Sequence, residues 1–191
     1  IYWQAYLHKT SLVAELILTK ILKRAKFLTQ NGTILESSKP FQFFLNTKVE
    51  LENFDDETLL KFSQLDDFDI ISAIKAWQFN DDFILSSLSK MIINRALLKI
   101  KLSSDKFPVE VIQSLINQFS EQNNISKEDT NYFIFKGKIK NQAYSKIAEP
   151  IRILKKDKTI EDIVEASDQL NLKALSKPVT KYYICYPKQL Q

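Results

Sequence analysis

The sequence predicts an α+β protein. A mainly helical N-terminal lobe with a long first helix fills residues 1–97, and a small lobe with a mostly antiparallel sheet and helices fills residues 98–191. Three observations lead there. Apolar residues recur at helical spacing through the first half. After Arg95 the period drops to two, with Leu98, Ile100 and Leu102 alternating with Lys99 and Lys101. Near the end, Tyr182, Ile184 and Tyr186 alternate with Tyr183 and Cys185 in the same manner. At 45% hydrophobic and 26% charged residues the chain has the balance of a folded globular protein, and its 191 residues suit one domain of two lobes.

The first helix is expected from about Tyr2 to about Gln30. Val13, Ile17 and Ile21 recur at i+4, and Ala14, Leu18, Ala25 and Leu28 fill the adjoining stripe. Asn31-Gly32 ends it, since an αL residue closes a helix most easily at glycine. The opening Ile1-Tyr2-Trp3-Gln4-Ala5-Tyr6 enters helix-compatible sequence at once, without an initiator Met or a Ser, Thr, Asp or Asn cap. A removed upstream segment is therefore expected.

From Thr33 to Asn53 periodicity fades. Pro40 breaks it, and Phe41, Phe43 and Phe44 suggest a short buried turn or helix. Asp55-Asp56-Glu57 and Asp81-Asp82 then precede apolar periodic runs, where carboxylates cap helices and meet the positive end of the helix dipole. Three helices are read here: one with Leu59, Leu60, Phe62 and Leu65, one with Ile70, Ile71, Ile74 and Trp77, and one with Ile84, Leu85, Leu88, Met91 and Ile92. Their short connections favour antiparallel packing with the first helix, and Trp77 and Met91 are read as packing residues.

In the second lobe Pro108 opens a helix through Phe119 with Val111, Ile112, Leu115 and Ile116 inward. Strands are expected at Tyr132 to Ile139, around Pro150 to Leu154, and at Lys181 to Tyr186. Thr159-Ile160-Glu161-Asp162 resembles a capping box that starts a short helix through Ile160, Ile163 and Val164. Tyr182, Tyr183 and Tyr186 suit an oligomer surface or the wet edge of a half-buried strand equally well.

Several chemistries are excluded by composition. Two glycines, Gly32 and Gly137, leave no room for GxxxxGK[ST] or GxGxxG phosphate loops. One histidine and one cysteine rule out a multi-histidine or thiolate metal site. Cys185 is read as a small buried apolar residue, and a single thiol points to a reducing, cytoplasmic home. The stretch Ser11 to Leu28 is interrupted by Glu15, Lys20, Lys23, Arg24 and Lys26, so no membrane span is expected. A net charge of +4, with lysines spread along the chain, leaves nucleic-acid binding unsupported. Asp55, Asp56, Asp66, Asp67, Asp81 and Asp82 read as caps and solvated loops rather than as a cation site.

The segment Tyr2-Trp3-Gln4-Ala5-Tyr6-Leu7-His8-Lys9-Thr10 is the most informative. On a helix Tyr2, Tyr6 and Lys9 share one face, with Gln4 and His8 adjacent, so ring surface and cationic donors stand together. That combination suits a base and its phosphates; a helix end packed on a neighbour is the competing reading.

Taken in order, Tyr6-x-His8-Lys9, Leu65-Asp66-Asp67-Phe68-Asp69-Ile70, Ala73-Ile74-Lys75-Ala76-Trp77, Ile93-Asn94-Arg95 and the closing Lys181 to Lys188 run resemble the C-terminal portion of bacterial HD-superfamily phosphohydrolases, of the deoxynucleotide triphosphohydrolase kind. The resemblance implies an intact protein that hydrolyses a phosphoester with a water activated by a divalent metal. In that family the metal is held by His and Asp residues on earlier helices; none can be placed here, so no cofactor is expected in this chain and it should be inactive alone. By resemblance Tyr6 lines a nucleotide pocket, and His8 and Lys9 approach phosphate. Arg95 either joins them or pairs with Asp66 or Asp67, the reading favoured for an Arg at a helix end. A homo-oligomer and a nucleotide or phosphorylated small molecule are the expected partners. The competing function is a non-catalytic interaction scaffold derived from the same family.

Overall fold

The structure, a computed structural model, describes residues 8–141, 150–166 and 179–190. In chain order these form α1 (Lys9–Gln30), α2 (Lys39–Asn46), α3 (Asp56–Ser63), α4 (Asp67–Trp77), α5 (Phe83–Ile93), β1 (Lys99–Ser103), α6 (Val109–Asn123), β2 (Phe135–Asn141), β3 (Arg152–Leu154), β4 (Ile160–Asp162), α7 (Ile163–Ala166) and β5 (Val179–Tyr186). Short 3₁₀ turns occupy Leu51–Asn53 and Asp129–Tyr132. The protein is α+β, with helices first and a small sheet region after them.

Val13, Ile17, Ile21 and Ala25, spaced by four, form the buried stripe of α1. Asn31 closes the helix by donating its backbone N–H to Phe27, and Gly32 follows at φ 88°, a conformation that a side chain would strain. The stripe packs against α5, which buries Ile84, Leu85 and Leu88. Burying such a side chain contributes about 1.5–3 kcal/mol, so this seam is the main apolar anchor of the helices.

The acidic residues before the apolar runs cap helices as expected. Asp55 accepts from Thr58 N–H at 2.8 Å, Asp82 from Leu85 N–H at 2.7 Å, and Asp66 from Phe68 N–H at 2.8 Å. Asp69 returns a bond to the backbone N–H of Asp66, completing a reciprocal box at the start of α4. Pro40 does not break a helix; it lies in the first turn of α2, where its missing N–H has no helical partner to lose, and Ser38 caps that turn. Trp77 at the end of α4 is 1% exposed, stacks 5.8 Å from Phe41 and donates its indole N–H to the Glu36 carbonyl at 2.9 Å. Met91 is half-buried.

Leu59, Leu60 and Phe62 lie on a helix as expected, and all three are more than half exposed. Other expectations are corrected. Val111 is exposed too, whereas Ile112 on the next position is buried. The segment before β2 is a 3₁₀ turn, because Thr130 and its neighbours bond within the turn, and the strand starts at Phe135 rather than Tyr132. Residues Ile160–Asp162 are a strand, not the start of a helix, since they pair antiparallel with β3, Ile153 facing Glu161. The cap of α7 is Asp162, which accepts from Val164 N–H at 2.9 Å.

A three-stranded sheet has the order β1-β5-β2, and β3 and β4 form a separate two-stranded pair. Tyr186 is 3% exposed and so is a core residue, not a wet-edge phenol, while Tyr182 and Tyr183 are half-buried. Cys185 is fully buried, as expected for a small apolar side chain, and burial pushes its thiol up to about 12 against the counteracting charge of Lys20.

The contacts divide the chain into two compact units. One consists of Ile1–Ile100, Ser114–Phe135 and Cys185–Gln191, the other of Lys101–Gln113 and Lys136–Ile184. Within the first, Phe133 is enclosed by Phe119 and Phe83, with centroid separations of 5.0 and 5.9 Å. No described helix is long and apolar enough to cross a membrane.

Candidate functional site

The residues singled out by sequence sit at two helix ends. His8 is the N-cap of α1, its Nδ1 accepting from Thr10 N–H at 3.3 Å. An imidazole therefore supplies the cap that the usual polar residues do not, and only its neutral form with Nδ1 unprotonated can accept that bond. Lys9 opens the helix and is exposed. Tyr6 lies outside the described residues, so its proposed place beside them stays with the resemblance.

Arg95 follows α5 with φ 54°, an αL residue whose backbone N–H returns to Ile92 at 3.2 Å. Its side chain is exposed and makes no hydrogen bond or ion pair to another described residue. The expected pairing with Asp66 or Asp67 does not occur: Asp66 is committed to the first turn of α4. No hydrogen bond or ion pair among the described residues joins Arg95 to His8 or Lys9.

Sequence reasoning treated Arg24 only as an interruption of an apolar run. In the structure its guanidinium grips Asp82 through Nε at 3.1 Å and Nη2 at 2.6 Å, and reaches Asp129 through Nη1 at 3.2 Å. Arg24 and Asp82 keep only 12% and 17% of their side-chain surface exposed. Burial works against the charged guanidinium, but the hydrogen bond and charge of Asp82, with help from Tyr132 and Asp129, outweigh it and hold the Arg24 pKa above its usual value. Asp82 thus caps α5 and ties it to α1 at once. One turn earlier Lys20 donates to the Asn131 carbonyl at 2.8 Å and lies 4.9 Å from the Phe135 ring centre. Burial, with a smaller push from Lys23, lowers its pKa. The available signal was the i+4 spacing of Lys20 and Arg24, two cations on one stripe beside apolar positions.

Among the described residues no three His, Cys, Asp or Glu side chains converge to hold a metal ion. His8 and the leading aspartates are occupied as helix caps, and the described donor set does not fit the divalent centre implied for the intact protein. No chemical step is derived through it.

Two cavities are bordered by described residues of one unit each. In the first unit a space of about 510 Å³ is bordered by Glu36, Ser37, Ser38, Gln64, Asp66 and Asp69, a polar and acidic wall. Its Asp69 carboxyl is held below the ordinary aspartate range by the Ser38 hydroxyl and then by the Asp66 backbone N–H. In the second unit a cavity of about 440 Å³ is bordered by Lys106, Lys136 and Lys138 together with tyrosine, phenylalanine and valine side chains. Lysines border the second, carboxylates the first.

No family model matches the chain. Over 98 residues it is 38% identical to the uncharacterized protein YwfO of Bacillus subtilis (strain 168), a match covering 51% of this chain and 21% of YwfO. Among solved structures, the phosphohydrolase BT4208 of Bacteroides thetaiotaomicron VPI-5482 is similar, with a TM-score of 0.85 and 41% identity, over 97% of this chain and 46% of that protein. The chain therefore spans about a fifth of the one relative and under half of the other.

Proposed function

We propose that this chain is the C-terminal part of a metal-dependent HD-family nucleotide phosphohydrolase, serving the edge of the substrate pocket, regulation or oligomerisation, with the catalytic metal centre supplied by sequence outside it. The observation that carries the reading is the 41% identity and TM-score of 0.85 with a solved phosphohydrolase across 97% of the chain.

In this reading Tyr6, together with His8 and Lys9 at the start of α1 and Arg95 beyond α5, meets the nucleotide and its phosphates. Exposure of His8, Lys9 and Arg95, and the lack of a described side-chain partner for Arg95, support that role, since a cation without a carboxylate is available to an anionic ligand. Assay of the 191-residue chain with deoxynucleoside triphosphates and Mn²⁺ or Mg²⁺ should release no phosphate, and robust turnover by clean protein refutes the assignment. Calorimetry with a deoxynucleoside triphosphate should show a weak interaction that Lys9→Ala reduces; an unchanged affinity removes Lys9 from the site.

A further inference from the structure

We infer that the end of α1 carries a modification site: Asn31 deamidates through attack by the Gly32 backbone nitrogen, and does so only when the last turn of the helix opens. The proposal is independent of the phosphohydrolase reading, and it uses none of His8, Lys9 and Arg95.

Asn31-Gly32 is the one Asn-Gly pair in the sequence. Glycine, having no Cβ, hinders its own backbone nitrogen less than any other residue after an asparagine. Both residues are exposed, and apart from its chain neighbours nothing lies within 4 Å of where a Cβ on Gly32 would stand. In the reaction the Gly32 nitrogen bonds to Asn31 Cγ and the Cγ–Nδ2 bond breaks. Nδ2 leaves as ammonia, taking the proton that the backbone nitrogen gives up, and a five-membered succinimide remains. Water, the one co-reactant, then opens the ring. Addition at Cγ gives aspartate, and addition at the backbone carbonyl gives isoaspartate, whose main chain runs through Cγ.

The folded turn keeps the reacting groups apart. The Gly32 N–H donates to the Thr29 carbonyl at 3.1 Å, Asn31 Nδ2 donates to the Phe27 carbonyl at 2.7 Å, and the Thr33 N–H closes the turn on the Leu28 carbonyl at 3.0 Å. At ψ 18° the Gly32 nitrogen stands far from eclipsing Asn31 Cβ about the Cα–C bond, whereas a five-membered ring needs the two eclipsed. Tertiary ties hold this state. The Thr29 hydroxyl lies 3.0 Å from the Lys26 and Leu45 carbonyls, which share its one proton, and Lys26 Nζ donates to the Thr47 carbonyl at 3.4 Å, so the end of α2 clamps the end of α1. Ring closure therefore waits for a local opening of the kind helix ends undergo well below the free energy of global unfolding. The products cannot rebuild the cap. A carboxylate has no proton for the Phe27 carbonyl and adds negative charge at the negative end of the helix dipole. Isoaspartate lengthens the main chain, which takes the Thr33 bond to Leu28 out of register. Modification thus loosens α1 where it meets α2, in one direction only.

The experiment incubates the 191-residue chain at mildly alkaline pH, folded and in urea, and follows ammonia release and the amide-to-acid mass change at Asn31 by peptide mapping. Both samples should be modified at Asn31, the folded one at least about tenfold more slowly, as expected when opening precedes chemistry. Thr29→Val, which removes the tie to Leu45, should speed the reaction of the folded chain several-fold and leave the rate in urea unchanged. If that variant does not fold, the comparison of folded and urea-treated protein decides. In urea, where no fold is at stake, Gly32→Ala should slow the reaction several-fold by crowding the attacking nitrogen. Asn31→Asp, which carries the charge of the product, should melt about 2–4 °C below the unchanged protein. Absence of the modification from the folded chain, equal rates folded and in urea, or an unchanged rate in folded Thr29→Val or in urea-treated Gly32→Ala overturns the proposal. An Asn31→Asp chain as stable as the original overturns its one-way character.

Discussion

The α1–α5 seam and the α3–α4 flank carry the same local signals and end differently. Each has an aspartate at the start of a helix and apolar residues at helical spacing. Along the seam, Ile17, Ile21, Leu85 and Leu88 are fully buried. On the flank, Leu60 and Phe62 are each 59% exposed and Phe68 is 82% exposed. The seam also has a charged lock, Arg24 on Asp82 and Asp129, whereas the Lys61–Glu57 pair of α3 joins two residues of one helix, and Lys61 reaches α2 only through the Phe43 ring, 4.4 Å from its centre. Local sequence therefore decides that a helix forms, but stability comes from the face a partner covers.

Four measurements sharpen or break this contrast. Arg24→Met should cost the most, about 3–5 kcal/mol by urea denaturation, because it strands Asp82 and Asp129 without their counter-charge. A loss below about 1 kcal/mol would show the lock to be ornamental. Leu88→Ala, opening a cavity in the seam, should cost about 2–5 kcal/mol, against a change within about 0.5 kcal/mol for Phe68→Ser on the flank. Equal losses would mean that Phe68 is covered in solution.

Acid should act on the flank. Asp55 and Asp69 both have pKa values below the ordinary aspartate range, Asp55 through the Thr58 N–H it caps and Asp69 through the Ser38 hydroxyl. A depressed folded-state value stabilises the protein above the unfolded-state pKa, and that contribution disappears as pH falls through the folded-state value. Melting temperature should thus decline less steeply below the ordinary aspartate range in Asp69→Asn than in the unchanged protein; identical slopes would remove Asp69 from the linkage. The smallest effect concerns the buried thiol of Cys185, raised to about 12: an aromatic disulfide reagent at neutral pH should label it only as fast as the protein unfolds. Rapid labelling of the native chain would show the sheet to be open there.

Much of the fold was legible. The stripe Val13, Ile17, Ile21, the stop at Asn31-Gly32 and the caps Asp55, Asp66 and Asp82 depend on neighbours within one turn, which sequence displays directly. Residues Ile160–Asp162 were misread because a Thr-x-x-Asp pattern looks like a helix start until a partner strand claims its backbone. At the candidate sites the balance reverses. The exposed ends at His8, Lys9 and Arg95 could be named from their chemistry, but the idle side chain of Arg95 emerges only once Asp66 is seen capping α4.

Sequence by itself determined that the helices of the first half form and which aspartates cap them, which residues were apolar enough to be buried, and that too few histidines and cysteines exist here for a protein-only transition-metal site. Tertiary structure alone decided which apolar faces found cover, that Arg24 is a lock, and that Lys106, Lys136 and Lys138 gather around one cavity. The physical reason is range: capping and periodicity act over a few residues, whereas burial, charge pairing and cavities depend on segments that meet only after the chain has folded.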